Sequence, residues 1–106
     1  MNQQAMMRKL MKMKQEMEDT QKEINETEFE VSSGGIVTVT ALGTKEIIKV
    51  EISEDFEAES KEDFEILQDA IVAACKQLYE AIDDETEEKM SKYNALLGGF
   101  GGFGGF

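Results

Sequence analysis

The 106 residues suffice for one domain with a short tail, and a formal charge of −12 excludes a uniformly basic nucleic-acid binder. One cysteine, Cys75, rules out an intramolecular disulfide and fits a reducing compartment. No apolar run approaches a membrane span and the N-terminus lacks the apolar region of a signal peptide, so the expectation is a cytoplasmic, soluble protein with no membrane partner.

The distribution of charge says more than its sum. Arg8, Lys9, Lys12 and Lys14 are the only charged side chains in the first fifteen residues, and the acids concentrate at 16–30, 54–69 and 80–88. The chain is therefore polarised, with a basic N-terminal tip on an acidic body.

Residues 3–27 predict one helix, without Gly or Pro and rich in Met, Lys, Gln and Glu. Met6, Leu10, Met13, Met17, Thr20, Ile24 and Thr27 follow alternating steps of four and three, an a/d seam that packs against another helix. Such a helix would extend roughly 37 Å, more than a small sheet can cover, so part of it projects or meets a second subunit. Its methionines and threonines make the seam adaptable rather than a strong zipper. Met6, Leu10, Met13 and Met17 are thus candidate dimer contacts.

Three alternating runs follow, predicting strands at 28–33, 36–42 and 46–52. Gly34-Gly35 supplies the positive φ values of a tight hairpin, and Gly43 is expected to do the same between the second and third strands. In the third, Ile48, Val50 and Ile52 are expected on one half-buried face, with Ile47, Lys49 and Glu51 on the other. Ile36 and Ile47 are candidates for a second apolar patch on the sheet that pairs two subunits. A meander this small cannot bury its apolar face alone, so the helices must cover it.

After an acidic connection, Ser60 stands three residues before Asp63, close to a capping box. Phe64, Leu67, Ile71, Ala74, Leu78 and Ile82 form the apolar stripe of a helix over 61–82. Asp83-Asp84-Glu85 is a plausible break, with helical spacing resumed over 85–96 through Met90 and Tyr93. Residues 98–106 repeat Gly-Gly-Phe and are expected to form a flexible tail. Its phenylalanines read either as short adhesive elements or as tolerated bulk in a terminal segment.

In this order the chain resembles the YbaB/EbfC family of bacterial nucleoid-associated proteins. The likeness rests on MMRKLMKMKQEMEDTQKEI, GGIVTVTALG, IIKVEI, FEILQDAIVAACKQ and EEKMSKYNALLGG, spanning about residues 4 to 99. The resemblance implies one domain over 1–97, with an α+β, two-layer α-β(3)-α fold. It also implies a tweezers-like homodimer with helices projecting as arms, and DNA binding with little sequence preference through the terminal helical regions. Carried onto matching positions, the candidate DNA-binding residues are Arg8, Lys9, Lys12 and Lys14, with Lys89 and Lys92 near the end. The chain departs from the family in its acidity around 54–69 and 83–88. Its Gly-Gly-Phe ending also stands where one with Met and Pro is more usual.

Lysines and arginines of this kind give sequence-independent affinity by releasing counterions from phosphates, whereas the bland reading of the cluster is a solvated helix face. No helix-turn-helix turn, zinc-ligand spacing or aromatic sheet motif points to base reading. Methionine thioethers could hold copper(I), but without His or a second Cys the stripe reads as packing, and no metal or cofactor is expected. Cys75 has no histidine to activate it, and no phosphate loop, calcium loop or nucleophile elbow is present, so neither an enzyme nor a small-molecule substrate is expected. The competing reading is a protein-binding or chaperone-like module whose Met-rich arms grip apolar segments without binding DNA.

Overall fold

A computed structural model describes residues 2–98, in the order α1 (Gln3–Glu26), β1 (Glu28–Ser33), β2 (Val37–Leu42), β3 (Ile47–Ile52) and α2 (Lys61–Gly98). The expected tail lies outside the described residues, apart from Gly98 at the end of α2. Each strand pairs antiparallel with its neighbour in the order β1-β2-β3, and α2 lies across one face of β1 and β2. The result is the expected two-layer α+β arrangement.

Local chemistry fixes the element ends. The Asn2 side chain accepts the Ala5 N–H at 2.7 Å to start α1, and the Thr27 hydroxyl donates to the Glu23 carbonyl at its end. At the start of α2 the Asp63 N–H donates to Ser60 Oγ at 3.3 Å, and Asp63 Oδ2 accepts the Glu59 N–H at 2.8 Å. This is a capping box displaced by one residue on its return limb. Gly34 and Gly35 have φ of 61° and 70°, and the Ile36 N–H closes the turn onto the Ser33 carbonyl.

The core is built from one face of β2 and the stripe of α2. Val37, Val39, Ala41, Ala74, Leu78 and Ile82 are all but inaccessible, with Phe29, Val31, Ile71 and Cys75 packed around them. Cys75 is thus a free, half-buried member of the core surround. At the N-terminal end of the stripe the expectation fails: Phe64 is 54% exposed, because α2 begins beyond the ground that β1 and β2 cover.

Three further expectations are corrected. First, α2 runs unbroken through Asp83-Asp84-Glu85. None of the three breaks a helix, Ile82 anchors the turn in the core, and Lys45 and Lys89 pair with Asp83 and Glu85 at 2.8 and 3.5 Å. Second, Gly43 does not supply the positive φ of the β2–β3 turn; Lys45 does, at 75°. Gly43 instead lets the end of α1 come close, since a Cβ there would lie 1.8 Å from the Ile24 carbonyl oxygen. Its N–H donates to the Thr27 carbonyl at 3.0 Å.

Third, β3 is exposed along its whole length. It is an edge strand that α2 does not reach. A register shift between Thr40 and Ala41 pairs Ala41 with Ile47 and Thr40 with Lys49, leaving Ile48 as the extra residue of a bulge. Ile47 therefore shares the face of Val50 and Ile52 instead of opposing it, and the three are 39%, 46% and 49% exposed.

Candidate nucleic-acid interface

The basic residues sit on an arm. α1 leaves the sheet at Gly43 and runs back along the second half of α2, with the Thr20 hydroxyl 3.5 Å from the Tyr93 hydroxyl. Ile24, Tyr93 and Met13 are buried at 1%, 3% and 9% exposure along this line. They join two helices that would otherwise stand in solvent, and the molecule measures 72 × 24 × 15 Å. The heptad seam thus finds part of its partner within the chain: Met13 is taken up, Met17 and Leu10 are half-buried, and Met6 stays 40% exposed. Ile36 is half-buried in the hairpin and Ile47 lies opposite Ala41, so the two occupy opposite ends of β2.

Arg8, Lys9, Lys12 and Lys14 are exposed, and none makes an ion pair among the described residues. At about 100° per residue, Arg8, Lys12 and Lys9 share one side of α1, while Lys14 stands at least about 120° from each of them. Lys9 and Lys12 line an open, largely apolar hollow of about 310 Å³ with Met13, Glu16 and Leu96. Lys14 borders a separate one with Met11, Gln15 and Glu18. The tip is thus a three-cation face with one lysine turned away. Two acids, Glu16 and Glu18, mark where the basic zone stops.

Lys89 and Lys92 lie elsewhere. Lys89 is held by Glu85, and Lys92 lies over the Tyr93 ring at 4.9 Å, level with Thr20. Thr20 is about 12 Å along α1 from Lys12. They flank the arm behind the tip and do not join its cluster.

Sequence reasoning missed the apolar exposure. Ile48, Val50 and Ile52 on β3 and Phe64, Ile66 and Val72 on α2 are 44–55% exposed. The signal was present in Ile47-Ile48, two adjacent aliphatics where strict alternation calls for one. Met7 and Met11 at the tip are 56% and 66% exposed. Among the described residues there is no cluster that could hold a metal ion, and no helix is long and apolar enough to cross a membrane.

A model of the YbaB/EbfC DNA-binding family matches residues 1–97. A nucleoid-associated protein of Clostridium novyi is 43% identical over 100 residues, covering 93% of this chain and 83% of that protein. One of Oceanobacillus iheyensis is 41% identical over 93 residues, covering 87% and 88%. The solved structure of an uncharacterized Helicobacter pylori protein matches with a TM-score of 0.66 at 25% identity, covering 91% of this chain and 98% of the other.

Proposed function

Because this chain belongs to the YbaB/EbfC DNA-binding family, we propose that it is a nucleoid-associated protein whose homodimer binds DNA with little sequence preference through its arm tips. Its effect would be on nucleoid organisation or gene expression, and no reaction is assigned to it. The observation that carries the reading is the exposed face of Arg8, Lys9 and Lys12 at the far end of the arm, without an ion pair among the described residues. Cations so placed meet phosphate first and hold the acidic body away from a like-charged duplex. Lys14, Lys89 and Lys92 are secondary contacts on this reading.

The dimer is supported by β3. An edge strand carrying Ile47, Val50 and Ile52 on the core side, with Ile48 at its bulge, is a pairing surface that a lone subunit leaves wet. Two copies joined through it would each hold out an arm.

A mobility-shift titration tests the reading. If Arg8, Lys9 and Lys12 of both arms neutralise phosphates, the slope of log affinity against log salt is about −5, and binding weakens about a thousand-fold from 50 to 200 mM salt. Changing Arg8, Lys9, Lys12 and Lys14 to Glu abolishes binding. No binding by the unaltered protein at low salt would sink the proposal.

The exposed Met6, Met7 and Met11 favour a second reading, an adaptable grip on apolar protein segments. It requires suppression of client aggregation that survives the charge reversal. Failure of client capture alongside intact DNA binding would remove it.

A further inference from the structure

Among the described residues α2 accompanies only part of α1. α2 ends at Gly98, with Leu96 set against Met13, while α1 continues past it to Gln3. Beyond this point α1 presents the remainder of its seam, with Met6 40% exposed and Leu10 half-buried. The hollow at the junction is largely apolar, with Lys9, Lys12 and Glu16 at its wall. A thioether, a leucine and two ammonium groups form a site for an aromatic ring, since sulfur packs at ring edges and cations over ring faces. Among the described residues no aromatic side chain lines it.

We propose that the chain's own Gly-Gly-Phe segment, residues 99–106, supplies that ring. Phe100 follows Leu96, which lines the hollow, by four positions in the sequence. Phe103, five residues past Gly98, reaches as far as about 17 Å. In an extended three-fold conformation every third residue falls on one side, about 9.3 Å apart. One heptad of α1, from Met13 to Met6, is about 10.5 Å long. The period of the repeat therefore suits the spacing of the open seam. Two glycines in each triplet carry no side chain and let the segment lie close on the helix. Phe100 fills the hollow beside Met13, Lys9 and Lys12, and Phe103 covers Leu10 and Met6. Lys9 and Lys12 then serve both the segment and DNA, so the segment lowers DNA affinity. This last consequence rests on the proposed function; the docking does not.

Methyl NMR of the full chain with labelled methionines tests the docking without DNA. Ring currents are expected to shift the Met13 and Met6 methyl signals upfield relative to a chain stopped after Gly98. Phe100→Ser with Phe103→Ser and Phe106→Ser should restore the shortened chain's positions. Unchanged methyl signals on shortening would overturn the proposal. A labelled shortened chain mixed with unlabelled full-length chain should stay unshifted; a shift there would show that a second copy supplies the ring and would also overturn it. Where DNA binding is measured, the shortened chain should bind several-fold more tightly, and equal affinity would remove the competition.

Discussion

Replacing Gly43 with alanine puts the joint between arm and sheet to the test. The added Cβ would lie 1.8 Å from the Ile24 carbonyl oxygen and 2.4 Å from its carbon, both backbone atoms that cannot swing aside. Reaching even 3.0 Å, the limit of real Cβ contacts, moves the end of α1 by about 1.2 Å, and an ordinary 3.4 Å by about 1.6 Å. Overpacking of this kind costs about 1–3 kcal/mol, and straining the 3.0 Å Gly43–Thr27 hydrogen bond adds about 1 kcal/mol. The expected loss is roughly 2–4 kcal/mol, or a fall of about 8–32 °C in Tm for a domain of this size. Gly35→Ala is the control: φ there is 70° but nothing lies within 4 Å of the new Cβ, so the cost is about 1–2 kcal/mol of backbone strain alone. Urea denaturation followed by circular dichroism, at one protomer concentration for all variants, measures both. If Gly43→Ala costs no more than Gly35→Ala, the close approach does not set the packing of α1.

Three further outcomes follow from the same geometry. Val50→Lys with Ile52→Lys should give a folded monomer by light scattering with an unchanged far-ultraviolet spectrum, because both residues are already half exposed in one subunit; a persistent dimer would place the interface elsewhere. Lys12→Gln should reduce the salt slope of DNA binding by about 2 in a dimer, and Lys14→Gln by much less, since Lys14 faces away from the three-cation side; equal reductions would refute the division of the tip. Ser60→Ala should cost about 1 kcal/mol through loss of the cap on α2, and Asp63→Asn less, both read by thermal denaturation.

The element boundaries were legible because periodicity and helix caps act locally. Ser60 and the Gly34-Gly35 pair do in the structure what short-range rules say they do. The residues that misled are those whose setting depends on distant segments. Gly43 looked like a turn glycine because its partner, Ile24, lies nineteen positions away and nothing local marks the approach. Asp83-Asp84-Glu85 looked like a break because the stabilising Lys45 comes from another element. The burial of β3 was overestimated because alternation reports which residues share a face, not whether a neighbour covers that face. The basic tip reads as a cluster of four, although its division into three and one follows from about 100° per residue once residues 3–27 are taken as one helix. Lys89 and Lys92 could be located on α2 from spacing, whereas their separation from the tip depends on the antiparallel pairing fixed at Thr20 and Tyr93.

The joint at Ile24 and Gly43 also stands at the base of a lever made of α1 and the second half of α2, which Tyr93 and Met13 hold together. Arg8 lies sixteen residues out along α1 from Ile24, about 24 Å. A change of only 10° at that base would therefore sweep the charged end through about 4 Å, more than the 3.4 Å axial rise per nucleotide of one strand. The gap that the arms of a dimer offer a duplex would thus be set where no charged side chain touches DNA. Small changes in volume beneath the last turn of α1 would retune phosphate spacing while leaving the basic residues untouched.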